Sequence, residues 1–319
     1  MSSTGQLHRG FPEPGAIRGD VVATIGVFDG VHRGHQRLLH EVVAGVAGAG
    51  TGVLVTFDPH PRCVLDPAGC PPLLTGVAER ARLAARHGVG SAIAIEFSEE
   101  LSTWTAERFC DRLLTSLQLR RLVVGPGFAL GRERAGDEAF LRAYGSGHGF
   151  DVVSVPPLTV AGERVSSGRV RGAVLEGRVE EATELLGRFH HLPGTVARGD
   201  GRGRGLGFPT ANVAATAGHC VPGAGVYATW LCVAGRWLRA ATSIGVRPTF
   251  GGRTTTVEAY VLDFDEDIYD AGVELQFVAR LREERAYADV ASLVAQMHRD
   301  VEAVRARMSG LDVPDAVAV

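Results

Sequence analysis

The stretch Val21-Val22-Ala23-Thr24-Ile25-Gly26-Val27-Phe28-Asp29-Gly30-Val31-His32-Arg33-Gly34-His35-Gln36-Arg37-Leu38-Leu39 decides how the first half of this chain is read. Val21 to Ile25 is short, apolar and β-branched, as a buried strand is. Gly26 and Gly30 let the backbone turn tightly, and Leu38/Leu39 with Val42/Val43 then recur at helical spacing. The pattern predicts strand, glycine turn, helix. A helix start facing such a turn offers unpaired N–H groups and the positive end of the helix dipole, which favour an anion such as phosphate. His32 and His35 are three apart, so a helix beginning near His32 projects both imidazoles from its first turn. In isolation the same residues also fit a plain turn with two exposed side chains.

Residues 1 to 19 are rich in Gly, Pro and Ser and lack periodicity, so they read as a mobile or loosely docked lead-in. Downstream of the first helix, Gly52 to Phe57 reads as a buried strand, ended by Asp58-Pro59-His60-Pro61 because two prolines cannot sit inside a ladder. Loops at strand ends are where open α/β sheets keep ligands. Residues 76 to 88 form an amphipathic helix whose charges, Glu79, Arg80, Arg82 and Arg86, are expected on a solvated face. Strands at Ser91 to Phe97, Leu122 to Val124 and Val152 to Val155 alternate with helices at Thr105 to Leu117 and Glu138 to Tyr144. That alternation predicts a parallel sheet with helices on both faces. Gly125 to Arg132 is a second glycine-rich loop. Ser166 and Ser167 suit a helix cap, and beside Arg169 and Arg171 they also make a polyphosphate grip.

After Gly187 helical periodicity gives way to short β-rich pieces at Leu192 to Ala197, Gly225 to Val233, Trp237 to Ile244, Thr255 to Phe264 and Val273 to Leu281. These predict a closed antiparallel barrel or a sandwich, with the domain boundary near 187. A final helix, Ala288 to Arg307, should pack on it, and Gly310 to Val319 reads as a frayed tail. Gly201, Gly203, Gly205 and Gly207 would destroy a strand, so their segment is a loop whose backbone approaches a ligand or a flexible surface hairpin. Glu258 alternates with Val257 and Ala259, which by itself fits a carboxylate facing water.

At 319 residues the chain is long for one core and implies two domains. A net charge of -3 gives no global basic field, so nucleic acid is not an expected partner. The apolar runs are strand-sized and the first residues hold no apolar core of a secretory signal, so neither a membrane nor an export route is expected, and the protein is expected in the cytoplasm. The five cysteines form no CxxC pair and no zinc spacing, and are expected to be reduced thiols.

The string Gly-x-Phe-Asp-Gly-x-His-x-Gly-His, with neither the Gly-x-Gly-x-x-Gly spacing nor a Gly-Lys-Ser/Thr ending, resembles the nucleotide-binding signature of prokaryotic bifunctional riboflavin kinase/FMN adenylyltransferases. Val165 to Arg171 resembles that family's Ser-Ser-Thr-x-x-Arg element, with Gly168 in place of Thr. Gly-Phe-Pro-Thr-Ala-Asn at 207 to 212 resembles its kinase motif, as do Gly245 to Phe250, Val257 to Phe264, and Arg282-Glu283-Glu284 with Tyr287. The resemblance covers about residues 20 to 305. It implies a Rossmann-like nucleotidyltransferase domain over 20–186 and a β-barrel riboflavin kinase domain with a terminal helix over 187–307.

It further implies that ATP and riboflavin give FMN in the barrel, and that ATP and FMN give FAD and pyrophosphate in the α/β domain. Glu258 inherits the role of catalytic base, while His32 and His35 stabilise the adenylyl transfer. Nucleotide contacts fall on Gly26, Phe28, Asp29, Gly30, His32, His35, Ser166, Ser167 and Arg171 in the first half, and on Gly203, Arg204, Gly207, Pro209, Thr210 and Asn212 in the second. Flavin contacts fall on Phe57, Pro59, His60, Pro61, Phe128, Arg282 and Glu284. Thr210 and Asn212 are the implied holders of Mg2+. The chain departs from the family's usual residues at Gly127, Ala129, Leu130 and Gly168, so a riboflavin kinase with a weakly active or nucleotide-sensing first domain is the alternative. A homo-oligomer is left open.

Overall fold

The computed structural model describes residues 5–199, 203, 205, 207–249 and 252–317, and the chain divides into two compact units, Met1–Ser167 and Gly168–Val319. In chain order the first holds β1 (Gln6–Arg9), β2 (Val21–Ile25), α1 (Arg33–Gly45), β3 (Thr51–Asp58), α2 (Pro61–Leu65), α3 (Val77–Arg86), β4 (Ser91–Glu96), α4 (Glu99–Ser102), α5 (Ala106–Ser116), β5 (Leu119–Val124), α6 (Glu138–His148), β6 (Asp151–Ser154), and the short pair β7 (Thr159–Val160) and β8 (Glu163–Arg164). Then come α7 (Ser167–Leu175), α8 (Val179–Leu186), β9 (His190–Ala197), β10 (Thr210–Ala215), β11 (Gly225–Val233), β12 (Arg236–Thr249), β13 (Gly252–Val261), β14 (Gly272–Arg282) and α9 (Val290–Arg307).

The first unit is a parallel sheet in the order β1-β4-β3-β2-β5-β6. Period-2 alternation sends its side chains to two cores. Val21, Ala23, Ile25, Leu122 and Val124 pack with Phe109 and Leu113 of α5 and Leu141 of α6. Val22 and Val123 point the other way, against Val42 of α1. The expected sheet with helices on both faces is therefore present. The strand order reverses between the parallel β2 and β5, so their C-terminal ends open the crevice where such sheets bind ligands.

Three local expectations need correction here. Gln6–Arg9, expected as lead-in, is an edge strand, because β4 offers it a free parallel edge. Glu79 and Arg80, expected in solvent, are buried, while Arg82 and Arg86 are exposed as expected. Cys63 and Cys70 form a disulfide, since the turn at Pro67–Gly69 brings them together; Cys110, Cys220 and Cys232 are buried thiols.

In the second unit the strands close antiparallel in the order β10-β13-β12-β11-β14-β9, a barrel and not a sandwich. Val213, Leu231, Ile244, Val257, Ala259 and Phe277 fill its interior. Val179, Ala182, Leu185 and Leu186 of α8 are buried, and α8 packs on β9 and β14, so this helix counts with the barrel. The tail after α9 is docked rather than frayed: the buried Glu274 carboxylate accepts the Val317 N–H at 2.9 Å, and Gln276 donates to the Asp315 carbonyl at 2.8 Å.

Burial, and then the neighbouring His191, push the His190 imidazole down to about 3, and its Nε2 lies 2.8 Å from the Cys220 carbonyl. The ring is neutral in the fold but titrates near 6.5 when unfolded, so below that pH the unfolded chain takes up the extra proton. Stability is thus lost as pH falls from 6.5 toward 3, at up to about 1.4 kcal/mol per pH unit. His190→Gln keeps a donor for Cys220 and should flatten the fall in melting temperature between pH 6.5 and 4.5. Parallel curves for the two proteins would exclude His190 as the source.

Candidate active sites

In the first unit the turn after β2 is held open by buried polar bonds. Phe28 and Val31 adopt left-handed backbone, at φ 53° and 39°, beside Gly30 at 82°. Such strain persists only where the surroundings enforce it. The Asp29 carboxylate supplies the restraint by accepting the N–H groups of Leu74 at 2.9 Å and Thr75 at 3.0 Å, and Gly30 N–H donates to the Thr75 hydroxyl at 2.8 Å. Asp29, expected on the nucleotide, is therefore turned inward and holds the turn from beneath; neither it nor Gly30 lines the cavity.

Arg80, fully buried, ties this turn to the end of β3. Its guanidinium donates to the carbonyls of Val27 and Phe57 and to the Thr56 hydroxyl, each at 3.0 Å, and to the Thr75 carbonyl at 3.3 Å. Burial lowers its pKa, against Asp29 and Asp58, which raise it. A buried cation is tolerated only with such compensation.

His32 caps α1, its Nδ1 accepting the His35 N–H at 3.3 Å. The two rings stack with centroids 3.6 Å apart, and Phe28 lies 4.5 Å from His35 on its other side. Burial first, then the charges of His32, Arg80 and Arg164, hold His35 well below the ordinary imidazole pKa. It is a neutral ring at physiological pH, and among the described residues its Nδ1 has no hydrogen-bond partner.

Two cavities flank this turn. The first, about 340 Å³, is lined by Gly26, Phe28, His32, His35, Arg164, Ser166 and Ser167. Ser167 also donates to the Asp29 carbonyl at 2.8 Å. The second, about 630 Å³, is apolar and aromatic, with Phe57, Pro61, Phe97, Leu101, Trp104, Phe109 and Phe128 on its walls. Ile25, Gly26, Gly127 and Phe128 line both, at the strand ends where the sheet reverses. Pro59 and His60 do not line it; His60 instead caps α2 by accepting the Arg62 N–H at 3.1 Å. Arg171 lies on α7 in the second unit.

In the barrel, register decides the site. Val257, Ala259 and Val261 point inward, so Glu258 and Tyr260 point outward. Glu258 lies opposite Asn212 on β10 and Ser243 on β12, and Tyr260 opposite Thr210 and Ala241. α9 covers part of this outer face, so Glu258 borders a cavity of about 250 Å³ with Phe208, Thr210, Ser243, Leu293 and Met297. Arg282 pins α9 there by a paired bond to the buried Asp300, at 2.7 and 2.9 Å, which raises the guanidinium pKa.

Glu284 and Tyr287 line an adjoining cavity of about 520 Å³, and the Glu284 carboxylate lies against Gly245, where a Cβ would approach it to 2.7 Å. On the other side of Thr210, a cavity of about 330 Å³ is formed by Pro209, Ala211, Val261, Phe264 and residues 265–269. Thr210 borders both. Asn212 packs against Gly199, where any Cβ would strike its amide, and Gly203 accepts the Phe208 N–H at 2.9 Å. Gly207 has φ 83°. Arg204 lies outside the described residues.

The sequence did not point to Arg80, to Trp104 and Phe97, to the 264–269 segment, or to Leu293 and Met297 of α9. Arg80 carried a local signal, since it falls on the stripe of Val77, Ala81 and Ala84, a charged residue on an apolar face. Leu293 and Met297 fall on the apolar face by which the last helix was expected to pack on the barrel.

Paired cavities that meet at a strained, anion-ready turn in one unit and at a threonine in the other define a two-site, nucleotide-dependent transferase. Comparison with known proteins agrees. The family model described as FAD synthetase matches residues 16–169, and the one described as riboflavin kinase matches 186–308. A bifunctional riboflavin kinase/FMN adenylyltransferase from Listeria monocytogenes is 35% identical over 91% of this chain and 93% of its own. One from Pseudomonas fluorescens is 36% identical over 94% and 97%. A crystal structure described as a macrolide-efflux protein from Streptococcus pneumoniae shares the fold at TM-score 0.86 and 29% identity, covering 94% of this chain and 98% of that one. Among the described residues no helix is long and apolar enough to cross a membrane. The chain belongs to the bifunctional riboflavin kinase/FMN adenylyltransferase family.

Proposed function

We propose that this chain makes FMN from riboflavin and ATP in its second, barrel-containing unit, and FAD from FMN and ATP in its first, α/β unit. The observation that carries this reading is the pairing of cavities, one with His32, His35 and Arg164 on its walls and one aromatic around Gly26 and Gly127, and two around Thr210. In the barrel the nucleotide lies between Pro209 and the 264–269 segment, and the flavin lies beneath α9 beside Arg282 and Glu284. Glu258 accepts the proton of the ribityl terminal hydroxyl as that oxygen attacks the γ-phosphorus and ADP leaves. In the α/β domain an oxygen of the FMN phosphate attacks the α-phosphorus and pyrophosphate leaves. That nucleophile is already an anion, so no base is needed. His32, His35, Ser166 and Ser167 meet the charge that develops.

Thr210 and Asn212, two residues apart on β10, present a hydroxyl and an amide oxygen, a hard donor set that fits Mg2+ completed by water and phosphate oxygens. When bound, the ion neutralises phosphate charge. Neither reaction calls for nucleic acid or membrane, and the cytoplasm supplies both ATP and riboflavin.

Incubation of the protein with riboflavin, ATP and Mg2+, with flavins resolved by chromatography, should yield FMN and then FAD, and chelation with EDTA should stop both. FMN with ATP and Mg2+, without riboflavin, should release one pyrophosphate per FAD. FMN accumulating with no pyrophosphate would establish the kinase-only alternative, to which Gly127 and Gly168 point.

A further inference from the structure

The aromatic cavity of the first unit accounts for binding an isoalloxazine ring, yet nothing in Phe57, Phe97, Trp104 or Phe109 separates FMN from riboflavin, which differ only by a phosphate. That discrimination needs a cation where the two cavities meet. The loop between Leu130 and Gly136 supplies one. Its ends are closed by paired backbone bonds, Leu130 N–H to Gly136 O at 3.1 Å and the reverse at 2.9 Å, and its middle is tied by Arg132 N–H to the Trp104 carbonyl at 2.7 Å. Within this frame Glu133 and Arg134 both take left-handed backbone, at φ 55° and 61°.

Two successive non-glycine residues in that region are costly, and such strain is kept where surroundings over-determine it, typically beside ligands. The result is directional. The Arg134 side chain lines the aromatic cavity, and one guanidinium nitrogen donates to the Gly127 carbonyl at 2.7 Å. Gly127 is one of the residues common to both cavities, and no atom lies within 4 Å of where its Cβ would stand. Arg132 and Glu133 border the same cavity, and it is Arg134 whose side chain is bonded to a junction residue.

We infer that Arg134 is the residue that recognises the flavin's phosphate, setting the adenylyltransferase to accept FMN and reject riboflavin. The inference rests on the adenylyltransferase reading of the first unit. The guanidinium is anchored by one nitrogen and keeps others for a phosphate monoester, whose oxygens its planar fork matches. A site built to bond a polar group rejects the analogue that lacks it far more strongly than an apolar pocket does.

The test compares wild type, Arg134→Gln and Arg134→Lys in FAD formation from FMN, with lumiflavin as inhibitor. Lumiflavin has the ring system but no ribityl chain, so it occupies the aromatic cavity and cannot be phosphorylated. Arg134→Gln should raise KM for FMN by about tenfold or more, with Arg134→Lys in between, while Ki for lumiflavin and the rate of riboflavin phosphorylation stay within about twofold. An unchanged KM for FMN overturns the inference, and so does a lumiflavin Ki that rises in step with that KM, which would mean a deformed cavity. If wild type forms no FAD, the adenylyltransferase reading falls and this inference falls with it.

Discussion

Glu258→Gln should lower kcat for riboflavin phosphorylation by about 10²- to 10⁴-fold while leaving FAD formation from FMN unchanged. Glutamine keeps the volume of the side chain and its place between Asn212 and Ser243, so the barrel and the cavity beneath α9 should persist. What it loses is the capacity to take a proton. The ribityl hydroxyl is then a poorer nucleophile at the moment of attack, whereas binding of riboflavin and ATP is little affected. The loss should therefore appear in kcat, with both KM values within about threefold. Initial rates of FMN formation from riboflavin, alongside FAD formation from supplied FMN, check both halves in one preparation. Riboflavin phosphorylation at the wild-type rate would remove Glu258 from the role of base. A rise in KM with kcat unchanged would make it a binding group instead.

How much of this was legible beforehand differs from residue to residue. The turn from Val21 to Leu39 is local in its causes: a β-branched run, glycines where the backbone needs them, and an apolar helix face. It reads correctly as strand, turn and helix. Its capping was only half visible. That His32 is the cap, and not just one of two projecting rings, depends on its Nδ1 accepting the His35 N–H. Asp29 shows the opposite limit. Its place in the signature marks it as important, but its partners Leu74 and Thr75 are 45 and 46 residues away, and only the fold reveals that it braces the loop. Arg80 fails for the same reason. The acceptors that make its burial tolerable sit 53 and 23 residues earlier, at Val27 and Phe57.

In the barrel the alternation of Val257, Glu258 and Ala259 was plain from sequence, but not which face carried the site. Val257, Ala259 and Phe277 fill the barrel interior while Glu258 borders a cavity on the outer face beneath α9, which is why the proposed chemistry is assigned to that face. The apolar spacing of the last helix predicted that it packs on the barrel, and the resemblance named Arg282, but that Leu293, Met297 and the Arg282–Asp300 pair close a cavity over Glu258 is a tertiary fact. The docked C-terminal residues are similar. Glu274 is buried on β14 only because the Val317 N–H is there to meet it.

The second large effect belongs to the histidine pair, and substitutions at His32 separate its two roles. His32→Ala removes both the cap of α1 and the ring stacked on His35; His32→Asn removes the ring but restores a side chain well suited to the cap. Both should lower FAD formation by about 10²-fold or more, as loss of one preorganised donor does. His32→Ala alone should also reduce stability, by about 1 kcal/mol. FMN formation should be spared in both. The pH profile gives a further handle. Because burial and neighbouring charge hold His35 well below its ordinary pKa, the free enzyme presents a neutral imidazole through the whole neutral range. kcat/KM for ATP should accordingly show no inflection from His35 near pH 6.5, and a break there that vanishes in His35→Gln would mean the ring titrates normally and acts as a cation. If His32→Asn retained full FAD formation, the ring would be only a cap, and phosphate stabilisation would have to come from His35 and the Ser166–Ser167 side of the cavity. Equal loss of FMN and FAD formation in either variant would contradict two separate sites.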